Sequence, residues 1–404
     1  MKKRHTLLLA SVAALSLATV FGACGTYSAG GNSDASTSSS ACMTPVDNDA
    51  TVPTFDGILL PCDALSQGGA KCATAHSSVR VIVTGYNGPL YQLCKGGSSP
   101  GPSSCKGTTQ DIQAIDGYAD AASHEGFCGT DSCVISKIYD QTGNGNDLEP
   151  SPMGGAKPSP DLPAKAMALP VKVNGHNAYG IAVRPGVGYR TGCDGCNIKR
   201  GKGMALNDEP QSMYMVTSQQ DLVDGCCFDY GNAETTSNDD GNGTMEAVYF
   251  GGGVVWGTGY GGKPGPWVMG DLENGVFAGW ENGQDKNIST NQPLTFDFVT
   301  AIVVGDTSEK NCGKGRYMLY GADATGADAK YGKLMTMYDG IRPEKAGYVP
   351  MQKQGSLILG TGGDNSSGGA GRFYEGATAT GPAITKKTAN LLQAAIAAAK
   401  YQTP

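Results

Sequence analysis

The chain has 404 residues, with 61 glycines and 21 prolines making up about one residue in five, while 17 % are charged and 7 % aromatic. Glycine costs a helix interior roughly 1 kcal/mol relative to alanine, so this composition rules out a long helical bundle or coiled coil and favours a turn-rich β protein. A net charge of −7 argues against nucleic acid or acidic polysaccharide as partners, which need a positive surface, and leaves neutral substrates open.

Met1 to His5 form a basic head, followed by an apolar stretch from Thr6 to Ala23. Residues 1–23 therefore read as an export signal. Gly22 and Ala23 stand directly before Cys24, which looks like a bacterial lipoprotein signal with Cys24 lipidated and holding the protein to a membrane. The other reading is an ordinary secretory signal cut nearby, and Phe21 stands where lipoprotein signals usually have Leu. Loss of the signal removes Lys2, Lys3 and Arg4 and no acid, taking the net charge from −7 to −10. No later apolar run approaches the ~20 residues of a membrane span. Residues 24–53 are rich in Gly and Ser, have almost no large apolar side chain, and read as a flexible tether. Uniform texture beyond them points to one domain over 54–404, expected to be a monomer.

Twelve cysteines remain besides Cys24, an even number in a disulfide-permissive compartment. Most form near pairs: Cys62/Cys72, Cys94/Cys105, Cys128/Cys133, Cys193/Cys196 and Cys226/Cys227. Local pairing leaves Cys42 and Cys312 as one long bridge or two free thiols. Zinc at Cys193 and Cys196 lacks a second ligand pair at suitable spacing.

Short β-type runs recur between glycine-rich turns at 79–84, 133–139, 211–217, 245–250, 267–269, 296–304, 316–320 and 356–359, and Asn174-Gly175 signals a tight hairpin. Many closely spaced strands predict an all-β sandwich or barrel. From Ile384 to Tyr401 an i, i+3/i+4 stripe of Leu391, Leu392, Ala395, Ile396 and Ala399 predicts a C-terminal α-helix, and Asp111–Ala122 suggests a shorter one.

Three segments carry candidate chemistry. If Trp267–Glu273 is extended, Trp267, Met269, Asp271 and Glu273 share one face, and the two acids need perturbed ionisation or hydrogen-bonded partners. A solvent-exposed strand end before the Asn274-Gly275 turn is the bland alternative. Asp364 sits among glycines after the 356–359 run, where backbone can approach a ligand closely; equally, it could cap a solvated turn. Cys226 and Cys227 are adjacent, so a bond between them closes a strained ring whose sulfurs make an apolar plate suited to a sugar's C–H face. Pairing elsewhere and a redox role are the alternatives. The sequence has no Gly-x-Ser-x-Gly elbow, Walker loop or His-Glu-x-x-His motif, which leaves carboxylate chemistry on neutral glycans as the best fit.

These segments resemble glycoside hydrolase family 54, the α-L-arabinofuranosidase B family. The likeness runs from about Pro61 to Tyr401 through Cys72-Ala73-Thr74-Ala75-His76-Ser77, Gly225-Cys226-Cys227-Phe228-Asp229-Tyr230-Gly231-Asn232-Ala233-Glu234, Val255-Trp256-Gly257, Asp271-Leu272-Glu273-Asn274-Gly275 and Gly362-Gly363-Asp364-Asn365-Ser366. The resemblance implies a jelly-roll-like β-sandwich that releases terminal arabinofuranose from arabinoxylan or arabinan with retention, without cofactor or metal. Glu273 is implied as nucleophile and Asp364 as general acid/base. Cys226 and Cys227 are implied to form a disulfide beneath the sugar, with Trp256, Asp271, Asn274 and Gly363 lining the pocket. Cys62–Cys72 and Cys128–Cys133 match further family bridges. No arabinose-binding β-trefoil is expected after the helix. β-D-Xylosidase activity and a non-catalytic surface carbohydrate-binding protein are the competing readings.

Overall fold

The computed structural model describes residues 59–253, 265–280, 288–326 and 333–404. The export signal, Cys24, Cys42 and Trp256 lie outside the described residues.

Thirteen strands form two antiparallel sheets. In chain order they are β1 (Lys71–Ser77), β2 (Glu149–Pro150), β3 (Tyr189–Thr191), β4 (Gln211–Thr217), β5 (Asp229–Ala233), β6 (Glu246–Gly251), β7 (Trp267–Asp271), β8 (Val276–Phe277), β9 (Val299–Gly305), β10 (Arg316–Asp323), β11 (Met335–Ile341), β12 (Ser356–Leu359) and β13 (Glu375–Thr380). One sheet runs β1-β13-β4-β9-β10-β11 and the other β8-β7-β6-β5-β12-β3-β2. Their facing sides share one apolar core. Tyr230, Val248, Phe250, Val268, Leu357 and Leu359 enter it from the second sheet, and Met213, Met215, Ala301, Val303, Tyr317 and Leu319 from the first. The predicted β-sandwich is what forms.

Alternation along a strand then fixes what faces outward from the second sheet. Arg190 pairs with Ile358, Ile358 with Gly231, Gly231 with Ala247, and Ala247 with Asp271. These residues form a row on the sheet's outer face, and Asp229, Tyr249 and Met269 form a parallel row beside it. Small residues at 231 and 247 leave room above the sheet.

The Asn174-Gly175 hairpin forms between strands Pro170–Val173 and His176–Tyr179. Three sequence expectations are corrected. The run 79–84 is not a strand: Ser77 Oγ accepts from the amides of Val79 and Arg80 and turns the chain. Buried Val79 and Ile82 remain in a loop whose polar backbone is satisfied by the Gln141 side chain, which receives Ile82 N–H and donates to the Arg80 carbonyl. The stretch 111–122 is not one helix. It ends strand Thr108–Ile112, makes a hairpin around Asp116 and Gly117, both at positive φ, and only then starts helix Ala121–Cys128, capped by Asp120. The C-terminal helix runs Lys386–Ala397, capped by Thr385, with its Leu391/Leu392/Ala395/Ile396 stripe buried. It stops short of Tyr401, which joins a small sheet instead by pairing with Val173.

Each near pair of cysteines is a disulfide: Cys62–Cys72, Cys94–Cys105, Cys128–Cys133, Cys193–Cys196 and Cys226–Cys227. The Cys193–Cys196 bond agrees with the disulfide reading favoured over zinc. Cys312 is also disulfide-bonded, which removes the free-thiol alternative for it.

Candidate active site

The site gathers at the outer face of the second sheet, where β5 and β7 end and the loop after β12 begins. β7 stops at Asp271, so the extended reading of 267–273 holds only that far. Glu273 and Asn274 have φ of +60° and +57° and form the turn into β8, closed by Leu272 N–H to the Gly275 carbonyl at 3.1 Å. Turn geometry, not strand alternation, therefore aims Glu273. Its amide donates to Oδ1 of Asp271 at 3.1 Å, and both acids are buried. The solvent-exposed alternative for this pair is thus wrong.

Asp364 lies half-buried in the loop after β12. It serves as a turn former, since its Oδ1 accepts Ser366 N–H at 2.9 Å, and its carboxyl is also close enough to act electrostatically on Glu273 and Asp271. Gly363 permits this convergence. A Cβ there would stand 1.8 Å from Oε2 of Glu234 and 3.0 Å from Oε2 of Glu273.

The Cys226–Cys227 disulfide borders the same space. Cys227 Sγ lies 3.7 Å from Oδ2 of Asp271, and the Ser366 hydroxyl is 2.9 Å from Cys226 Sγ. Asn274 sits at the rim, its exposed side chain donating to Asp239 at 2.9 Å. The structure thus brings together Glu273, Asp364, Asp271, Cys226, Cys227 and Gly363, with Asn274 at the edge.

Three further residues belong to the site; Asp229 and Glu234 lie within the Cys226 string without a role assigned to them, and Arg190 has no signal in the sequence. Arg190 reaches it from β3, fully buried, through Nε to Ser356 Oγ at 3.1 Å and Nη1 to the Gly363 carbonyl at 2.6 Å, with Nη2 donating to the Glu234 carbonyl. It therefore ties together the two segments that carry Glu234 and Asp364. Glu234, just past β5, is buried, and Asp229, at the other end of β5, is buried beside Asp271.

Crowded carboxyls in a dry site resist ionisation. Burial, then the charges of Glu234, Asp271 and Asp364, push Glu273 far above the ordinary carboxylate range. Burial raises Asp271 to about 7 and lifts Glu234 above the usual carboxylate range, and burial with Asp271 beside it holds Asp229 well up. Burial lowers Arg190 to about 10 against the acids around it, so it stays charged at neutral pH. Such an arrangement can hold one carboxyl protonated beside another that is ionised, as acid–base and nucleophilic chemistry require.

Fold and site together define a cluster of buried carboxyls on the outer face of an antiparallel β-sandwich, bordered by a disulfide between adjacent cysteines. The chain belongs to the family described as "Alpha-L-arabinofuranosidase B, catalytic", whose model matches residues 61–402. It is 45 % identical over 352 residues to an α-L-arabinofuranosidase B of Emericella nidulans, covering 85 % of this chain and 62 % of that protein. It is 42 % identical over 346 residues to an arabinofuranosidase/β-xylosidase of Trichoderma koningii, covering 84 % and 63 %. A solved arabinofuranosidase in complex with arabinofuranosyl-α-1,2-xylobiose superposes with a TM-score of 0.74 at 39 % identity, covering 85 % of this chain and 66 % of that one. The chain spans about three fifths of the length of these curated relatives.

Proposed function

We propose that this protein is an exo-acting, retaining α-L-arabinofuranosidase that removes terminal arabinofuranose from arabinoxylan or arabinan side chains. The observation that carries this reading is the meeting of Glu273 and Asp364, 91 positions apart in the chain, at one pocket beside the Cys226–Cys227 disulfide. In the mechanism, Asp364 protonates the leaving glycosidic oxygen while a carboxylate oxygen of Glu273 attacks the anomeric carbon, forming a glycosyl ester. Water, deprotonated by Asp364, then attacks that carbon, restores the Glu273 carboxylate and releases arabinose. Asp271 accepts hydrogen bonds from sugar hydroxyls, and Cys226 and Cys227 pack against the ring's apolar face. Trp256, Asn274 and Gly363 complete the lining.

β-D-Xylosidase activity on the same site is the second reading, favoured by the double name of the Trichoderma koningii relative. Export by residues 1–23, attachment through lipidated Cys24 and a monomeric state complete the proposal. Hydrolysis of aryl α-L-arabinofuranoside beside aryl β-D-xyloside tests it, with wild type and Glu273→Gln compared. Inactivity of the wild type on both substrates would favour a carbohydrate-binding protein, whereas full activity in the variant would remove Glu273 from the mechanism.

A further inference from the structure

The geometry points to Glu234 as a positioning residue that keeps a proton directed at Oε2 of Glu273 and so selects which oxygen of Glu273 attacks. This rests on Glu273 being the nucleophile. Glu234 is fully buried, and its two carboxyl oxygens have different fates. Oε1 accepts the Thr244 hydroxyl at 2.6 Å, while Oε2 has no donor among the described residues. Leaving a buried carboxylate oxygen unpaired costs the full desolvation of that atom. Yet Oε2 comes to the space above Gly363 where Oε2 of Glu273 also lies, and the two carboxyls are within hydrogen-bonding reach. Only a proton between them makes that contact favourable.

Placement of the proton decides its use. On Glu273 it would quench the nucleophile. On Glu234 it makes an O–H that donates to one oxygen of Glu273, and the other oxygen keeps its lone pairs for the anomeric carbon. The backbone of Glu234 is held for this task by the Arg190 guanidinium on its carbonyl. Through both chemical steps Glu234 keeps its proton: Asp364 supplies the one that leaves with the aglycone and takes the one from water. The charged and titratable groups acting on the pair are Arg190, Asp229, Asp239, Asp271 and Asp364. Burial raises both Glu234 and Glu273, in keeping with one proton held between the two carboxyls.

The test uses the whole chain as Glu234→Gln, an amide that still donates but cannot ionise, and Glu234→Leu. For Glu234→Gln the expected result on 4-nitrophenyl α-L-arabinofuranoside is a KM within about threefold of wild type and a kcat lowered about tenfold. The alkaline limb of kcat/KM should move to higher pH, because the pair no longer has a second proton to lose. Glu234→Leu should lower kcat by about a hundredfold at similar KM. In parallel, infrared spectra of protein carrying 13C-labelled glutamate should show one protonated glutamate carboxyl at neutral pH in wild type and none in Glu234→Gln. Superimposable pH profiles with unchanged kcat would overturn the assignment, as would a protonated-carboxyl band that survives in Glu234→Gln. The infrared readout needs no turnover, so a wild type that shows the band but hydrolyses nothing refutes the hydrolase reading and leaves the shared proton standing.

Discussion

The hydroxyl of Tyr348 donates to the main-chain carbonyl of Glu273 over 2.8 Å, with the tyrosine buried beneath the turn. It thus fixes from below a turn whose two central residues both have positive φ. Tyr348→Phe leaves that carbonyl unpaired at unchanged volume. The expected cost is about 1 kcal/mol of stability by urea unfolding and a fall in kcat larger than any change in KM. Equal kcat in the variant would show that the turn holds itself.

Loss of the nucleophile should be severe. Glu273→Gln is expected to reduce kcat on aryl α-L-arabinofuranoside by at least ~10³-fold with the melting temperature within a few degrees of wild type. Steady-state kinetics beside a thermal melt check both halves.

For Asp364 the leaving group is the diagnostic. Asp364→Asn should lower turnover of an arabinoxylan oligosaccharide far more than that of 4-nitrophenyl α-L-arabinofuranoside, whose phenolate departs without a proton. Equal losses on both substrates would count against a general acid at 364.

Arg190 is expected to matter for stability as well as rate. Arg190→Met removes three hydrogen bonds and the cation amid buried acids, at a cost of about 3–5 kcal/mol measured by urea unfolding. A loss below ~1 kcal/mol would mean the acids relax by taking up protons.

Stability should depend on pH with a definite sign. Burial raises Asp271 to about 7 when folded, against about 4 when unfolded. The folded chain therefore binds more protons across that interval, and this group makes stability fall as pH rises from about 4 to about 7. Melting temperatures across this range should decline, and less steeply in Asp271→Asn; an identical slope would exclude Asp271 as a source.

Much of the sandwich was legible because strand runs such as 211–217 and 356–359 are continuous apolar or β-branched segments, and Asn174-Gly175 names its own turn. The segments 79–84 and 111–122 misled because side-chain bonds from Ser77 and Gln141, and the Asp116-Gly117 turn, override local apolar pattern. For the site, the strings around Cys226, Glu273 and Asp364 were visible by resemblance. Arg190, Asp229 and Glu234 were not assigned, because a buried charge has no periodicity, and its partners arrive through strand pairings more than a hundred residues apart.

The row Arg190, Ile358, Gly231, Ala247, Asp271 has an evolutionary corollary. Odd and even positions of β5, β6 and β7 answer to separate selective pressures, one set reading the ligand and the other filling the interior. Pocket shape can thus drift by single substitutions at 247 or 269 without taxing the core, whereas an insertion or deletion within any of these strands exchanges the two sets and forfeits both.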